Sequence, residues 1–439
     1  MRGGWHDAGD YGRYTTAAAT ALAHILYAWS LFTESFKESL NIPESGSSTD
    51  DILEECLYEL RWLLKMQMDD GSVCHKLTSM RHANFVMPCM DKRQMILFPP
   101  STMAAGAFAA VMALAARIYK ETDTAFAAQA LEASKKAWQW LEKHTEFIGF
   151  ENPDGCNTGG YEDTCDADER LWAAAELYRT TGDEHYLNKA DVYLEKIENK
   201  TEMGWTDVAG LAGLALLEET LKKASARPRQ EEAPDNLATR PRQEEVPDNP
   251  AALTRQQDSK AAKALSGQFA RLFAEAADKY VSVADRCGYK AAMRTEDYGW
   301  GSNMVLLNRA MVMACAYMLG GEEKYKTCAL SQMDYLLGVN AAGISYVTGA
   351  GENAFKNPHN RVTVADGIEE TIPGFVSGGP NKNPADEKAE WLIEPGTPPM
   401  KCYLDVWECY SLNEITIYWN SPAIFLSAFL ESMSVRRQR

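Results

Sequence analysis

Along most of the chain apolar residues recur at three- and four-residue spacing, and the strict alternation of a half-buried strand is scarce. That period predicts helices over residues 16–32, 50–67, 101–119, 124–144, 167–181, 184–199, 206–224, 260–286, 301–319, 322–337 and 413–434. Several are rich in small residues, as in the run from Met103 to Ala116, so they can pack closely on more than one side. The fold class is therefore all-α. A helical repeat array is the competing architecture, but no helix pair recurs at a fixed period.

Two stretches break the pattern. The segment Arg227-Pro228-Arg229-Gln230-Glu231-Glu232 recurs as Arg240-Pro241-Arg242-Gln243-Glu244-Glu245. Its proline and charge cannot bury enough surface to offset ordering, so 226–258 is expected to be a flexible insertion between two helices. A linker between domains is disfavoured because helices of similar composition resume on both sides. Residues 338–412 are rich in Gly, Pro and Asn, and so long an irregular stretch in a compact domain is usual only where the loop is functional. It is expected to wall a cleft.

Composition narrows the partners. With 439 residues, 46% of them hydrophobic, the chain can bury a large core, as one big domain or two modest ones. A net charge of −18 argues against nucleic acid and anionic membranes, which would be repelled, but not against a neutral polymer. No uninterrupted apolar run has the length of a membrane span, and no signal-peptide pattern opens the chain. The ten cysteines lack disulfide-scaffold spacing, and Cys315 and Cys328, set among apolar helical residues, are expected to be buried free thiols.

Candidate chemistry begins at Gly3-Gly4-Trp5-His6-Asp7-Ala8-Gly9-Asp10-Tyr11-Gly12-Arg13-Tyr14, a Gly-rich turn holding two carboxylates ahead of a helix. The free N–H groups and positive dipole end of that helix favour the ionised form of both Asp7 and Asp10, which could then hold and deprotonate a water. The plainer reading is that Asp10 caps the helix. At the other end Glu414 is expected to open the last helix, with Trp407, Tyr410, Tyr418 and Trp419 near it in sequence. Burial among such rings would keep a carboxyl protonated near neutrality, although a helix-start Glu is often only a dipole complement.

The N-terminal motif resembles, almost letter for letter, the active-site motif of glycoside hydrolase family 9, many of whose members are cellulases. By that resemblance Asp10 is the catalytic base and Asp7 helps to hold the water. Asn413 to Pro422 is similar to the family's C-terminal signature, which makes Glu414 the general acid, with Tyr418 standing where many relatives carry Asn. Asp405 resembles a supporting position. The element Asn357-Pro358-His359-Asn360-Arg361 resembles a sugar-contacting one, implying substrate binding by His359 and Arg361. Trp205, Trp300, Trp419 and Tyr410 are platform candidates by the same likeness, whereas Trp138 and Trp140 read as packing.

The resemblance runs from Gly3 to about Leu430. It implies an (α/α)6 barrel of twelve helices, the twelfth lying ahead of Gly3, in a single catalytic domain. Relatives carry a further strand and helix there, and some bacterial ones an immunoglobulin-like domain, so the chain reads as truncated at its N-terminus. The implied activity is inverting hydrolysis of internal β-1,4 bonds in cellulose or mixed-linkage β-glucan, by two carboxyl groups set on either side of the bond. The implied enzyme is a secreted monomer that needs no cofactor for chemistry. The alternatives are an exo-acting β-glucosidase, cellobiohydrolase or glucosaminidase of the same family, and a glucan-binding fragment impaired in catalysis.

Two metal sites are also candidates. Cys56, Cys74 and His75, with His82 or Cys89 as the fourth ligand, suit Zn²⁺, and resemble the structural zinc site of immunoglobulin-linked members. The plainer reading is buried cysteines and a core histidine. Asp166, Asp168 and Glu169, crowded at a helix start, suit Ca²⁺, as in relatives with a similar motif. A solvated helix N-terminus is the plainer reading there.

Overall fold

A computed structural model describes residues 2–226 and 259–435. In chain order its helices are α1 (Thr15–Leu31), α2 (Asp51–Leu63), α3 (Thr102–Ile118), α4 (Thr124–Lys143), α5 (Ala167–Thr181), α6 (Glu184–Leu194) and α7 (Ala209–Ala226). They continue as α8 (Lys260–Asp285), α9 (Ser302–Gly320), α10 (Glu323–Leu336), α11 (Arg361–Ala365), α12 (Glu387–Leu392), α13 (Tyr410–Asn413) and α14 (Ile417–Val435). Each predicted helix is present. The expected insertion lies outside the described residues, apart from Ala226 at the end of α7.

Side-chain size sorts the helices into two layers. In α1, α3, α5, α7 and α9 nearly every residue is buried, because alanine and other small side chains fill little space and permit neighbours on all sides. These five and α14 form a closed ring, each packed on the next and α14 returning to α1. Around them α2, α4, α6, α8 and α10 bury only one face, as Ala262, Leu265, Phe269, Phe273, Ala276 and Ala277 do on α8. The result is an (α/α)6 barrel with six inner helices and, among the described residues, five long outer ones. α9 is apolar enough, at mean hydropathy 1.2, to pass for a membrane span, which the sequence did not suggest. Its burial within the inner ring accounts for that composition.

All six inner helices begin at the same end of the barrel, as the residues gathered there show. Asp7 and Asp10 precede α1, His75 and Ser101 precede α3, and Tyr161 precedes α5. Trp205 leads into α7, Trp300 into α9 and Glu414 into α14. Six positive dipole ends therefore converge on one region. At the other end Arg117 of α3 bridges Glu176 of α5 at 2.8 Å and Glu218 of α7 at 2.9 Å, while Ser30 of α1 donates to Glu218 at 2.7 Å. With each charge facing an opposite one, this buried cluster ties four inner helices without leaving a lone ion in the core.

A small antiparallel sheet, β1 (Arg13–Tyr14), β2 (Lys76–Thr78) and β3 (Ile96–Leu97), pins the N-terminal motif to the loop before α3. Most of 338–412 is irregular, as expected, and it packs across the same end of the barrel. The apolar pocket of about 380 Å³ between α10, α14 and the 3-10 turn Thr33–Phe36 includes none of the three acids.

Candidate active site

The turn that carries the first two acids is shaped by its glycines. Gly4 has φ +86° and lies against the Trp62 ring, where an added Cβ would come within 2.5 Å of ring carbon. Asp7 closes the turn by donating its N–H to the Gly12 carbonyl at 2.9 Å. Asp10 does not cap α1: the capping position is Tyr14, with no side-chain cap bond.

Main-chain bonds bring the distant acids together. The Asp7 carbonyl accepts the Ile417 N–H at 2.9 Å, three residues past Glu414, and the Gly9 carbonyl accepts the Arg361 N–H at 3.1 Å. Residue 359 pairs with Glu414 in a parallel bridge, and the Glu414 carbonyl accepts the Gly378 N–H at 2.9 Å. Asp7, Asp10 and Glu414 thus share one site, although the first and last are separated by most of the chain. Glu414 does not open a helix as expected. It sits in an extended break between α13 and α14, with φ −58° and ψ 148°, because its backbone is used for these cross-chain bridges.

The three carboxyls are in different states. Asp10 is 6% exposed, and although burial alone would raise its pKa, the hydrogen bond from His82, the charges of His82 and Arg361 and the Gly12 N–H hold it below the ordinary value. Glu414 is pushed up to about 8, by burial first and then by the charge of Asp10. Asp7 is also pushed up to about 8, by burial and by Asp10, against the hydrogen bond from Tyr161. The expectation that the helix dipole leaves both aspartates ionised therefore fails for Asp7: desolvation outweighs the dipole. The Tyr161 hydroxyl donates to Asp7 Oδ2 and lies 3.3 Å from the Tyr418 hydroxyl, while Asp7 Oδ1 is buried without a partner.

The other candidates divide. His359 donates from Nδ1 to the Trp407 carbonyl at 2.7 Å, and burial holds its pKa at about 4, so the ring is neutral with Nε2 as an acceptor. Arg361 is buried and uses Nε on the Ala83 carbonyl and Nη1 on the Gly9 carbonyl, both at 2.7 Å. Those donors are therefore taken up by protein backbone, not offered to a sugar. Trp205 lies 4.8 Å from the Tyr161 ring and Trp300, 48% exposed, lies 5.5 Å from Tyr410. Trp419 is no platform: it is 4% exposed beneath the backbone of Gly301 and Gly378. Asp405 accepts the N–H groups of Lys356 and Asn357, which supports the loop leading to His359. Trp138, Trp140, Cys315 and Cys328 are buried as expected, and all ten cysteines are free.

Neither metal set is assembled. Cys56 is buried on α2, and burial lifts the Cys74 thiol to about 11. His75 uses both ring nitrogens, on Ser101 Oγ at 2.9 Å and on the Gly160 carbonyl at 2.8 Å. His82 bonds Asp10 at 3.0 Å, and Cys89 is exposed on a 3-10 turn. In the calcium trio Asp166 is paired with Arg170 at 3.0 Å, and Asp168 accepts the Val208 N–H at 2.8 Å. Glu169 is buried beside Gly106, and burial raises its carboxyl well above the ordinary range. Among the described residues no three His, Cys, Asp or Glu side chains meet where they could hold a metal ion.

Tyr161, His82 as a partner of Asp10, and Phe85, whose ring lies 4.6 Å from that of Trp407 beside His359, were not legible as site residues. The one local signal was the Gly159-Gly160-Tyr161 turn, in which Tyr161 itself has φ +52°.

These observations meet the sequence motifs in one place. The family model for glycosyl hydrolase family 9 matches residues 1–427. The chain belongs to that family. A cellodextrinase from Butyrivibrio fibrisolvens is 41% identical over 449 residues, covering 98% of this chain and 75% of that protein. A xyloglucan-specific endo-β-1,4-glucanase from Bacteroides ovatus is 33% identical over 446 residues, covering 98% and 69%. A crystal structure of a thermostable endoglucanase variant from Alicyclobacillus acidocaldarius superposes with a TM-score of 0.84 at 34% identity, covering 97% of this chain and 74% of that one.

The family 9 site also yields a backbone test. A Cβ on Gly9 would come within 2.0 Å of the residue 359 carbonyl oxygen, so Gly9→Ala must part the Asp10 turn from the Glu414 strand. The expected cost is about 1–3 kcal/mol of stability, as for other overpacked sites, with a loss of activity beyond the loss of folded protein. A thermal melt and an activity assay on the same sample check this.

Proposed function

We propose that this family 9 chain is an inverting endo-β-1,4-glucanase in which Asp10 is the base, Asp7 helps to hold the attacking water and Glu414 is the acid. One observation carries the reading: an ionised carboxyl and a protonated one, Asp10 and Glu414, are bound by main-chain bridges into a single site. Cleavage needs that pair, one to take a proton from water and one to give a proton to the departing oxygen. As water oxygen bonds to the anomeric carbon, its proton passes to Asp10. The bond to the leaving sugar breaks as that oxygen receives the Glu414 proton. Asp7 is neutral at pH 7 and keeps Oδ1 for the water while Oδ2 is held by Tyr161. A neutral second carboxyl avoids a like charge beside the base. Acid–base hydrolysis of this kind needs no cofactor.

A glucan is the substrate class the aromatic rims support, since Trp205, Trp300 and Tyr410 offer rings to apolar sugar faces. One chain supplies all three acids, so the working unit is taken as a monomer. A polymer too large to enter a cell is met outside it, which supports a secreted enzyme, and the net charge of −18 makes nucleic acid an unsuitable partner. A second reading, action on short cellodextrins in place of polymer, is prompted by the name of the 41% identical relative, a cellodextrinase.

Reducing-sugar release from a soluble β-glucan, compared with that by Glu414→Gln, tests the proposal. Background release by both proteins would refute it. A rapid fall in glucan viscosity supports endo action, whereas release from short cellodextrins or chromogenic cellobiosides without that fall supports exo action.

The pH profile should be a broad bell. Asp10 must be ionised, so activity is lost only as pH falls through a value below the ordinary aspartate pKa of about 4. Glu414 must be protonated, so activity is lost as pH rises through about 8. Initial rates across buffers check both limbs, and an alkaline limb near pH 5 would contradict the assignment of Glu414.

A further inference from the structure

We propose that His82 is a positioning residue for the base: its Nδ1–H holds one oxygen of the Asp10 carboxylate so that the other is aimed at the water. The inference rests on the hydrolytic reading of the site given above. His82 lies in the loop between β2 and β3, and its Nδ1 is 3.0 Å from Asp10 Oδ2. Since a carboxylate only accepts, the ring nitrogen is the donor.

This contact is built from both sides. The His82 N–H donates to Asn157 Oδ1 at 3.2 Å, and the Arg93 guanidinium donates to the His82 carbonyl. The next carbonyl, at Ala83, accepts from Arg361 Nε at 2.7 Å, and Nη1 of the same guanidinium reaches the carbonyl of Gly9, directly before Asp10, also at 2.7 Å. One rigid planar group thus sets the spacing between the two segments whose side chains meet. Phe85, three residues beyond His82, packs edge-on against His359 at 5.3 Å and so keeps the loop on the cleft. A surface histidine meeting an acid by chance would not have its backbone fixed at the carbonyl, at the N–H and at the following residue.

The chemistry gives the contact a purpose. A nearly buried carboxylate needs donors, and one left free to turn about its last torsion would present the wrong edge to water. Misplacement of a reacting group by about 1 Å can cost ~100-fold in rate. His82 limits that freedom from a side chain that is itself 38% exposed.

His82→Ala removes the donor, and His82→Asn restores an N–H close to the position of Nδ1. Both are compared with the unaltered full chain on soluble β-glucan, with melting temperature measured alongside. The expected result is a fall in kcat of ~10- to 100-fold for His82→Ala with KM nearly unchanged, and recovery of most of that loss in His82→Asn. A kcat for His82→Ala within about twofold of the unaltered protein would overturn the proposal. It is equally overturned if both variants lose kcat alike and melt lower, which is the mark of a role confined to folding. Absence of any sugar release by the unaltered chain refutes the hydrolytic reading itself, and is distinguished by that control.

Discussion

Asp10→Asn is expected to lower kcat on a soluble β-glucan by ~100- to 10,000-fold, the range that removal of a general base spans. KM should change little, because the altered group acts on water and not on the sugar chain. Asparagine has the same shape, and its carbonyl oxygen can still accept from His82 Nδ1, so the turn and its bonds persist. What disappears is the capacity to take a proton. Kinetics on folded protein of unchanged melting temperature check this, and a kcat near that of the parent would remove Asp10 from the role of base.

Glu414→Gln has the second large effect, and it depends on the leaving group. On natural glucan the departing alkoxide needs a proton, and loss of the acid should cost ~100- to 10,000-fold in kcat. On a cellobioside with an acidic phenol as leaving group the departing oxygen needs little help, so the loss should be much smaller. The alkaline limb near pH 8 should lose the contribution of Glu414 in the variant and keep only that of Asp7, whose carboxyl is also pushed up to about 8. A loss of equal size on both substrates would mean that Glu414 holds the site together but donates no proton.

The fold was readable because its two layers differ in side-chain chemistry. Alanine-rich runs such as Thr102–Ile118 can be buried on every side, whereas the Phe269, Phe273 and Ala277 stripe of α8 has only one face to bury. The three acids were readable because the motifs that carry them resemble those of family 9, and Gly4 and Gly9 show what the first motif needs of its backbone. The protonation state of Asp7 was not readable. Dipole reasoning from the neighbouring helix gave the wrong sign, since what decides it is burial by distant segments packed over the turn, which outweighs even the hydrogen bond donated by Tyr161, 154 residues away. The break at Glu414 was hidden for a similar reason. Helical periodicity runs through 413–434, and only bonds to Gly378 and the 359 segment interrupt it. His75 and Cys74 sit side by side as metal ligands would, yet the histidine's two partners, Ser101 and Gly160, come from later loops that no spacing rule reveals.

The central claim is that water, activated by Asp10, attacks the anomeric carbon directly as Glu414 protonates the leaving oxygen. Proton NMR of a β-glucan oligosaccharide in the first minutes of reaction reads the configuration of each new reducing end before it mutarotates. The account predicts that the α anomer forms first. Initial formation of the β anomer would require a covalent intermediate on the protein and would contradict the roles given to both Asp10 and Glu414.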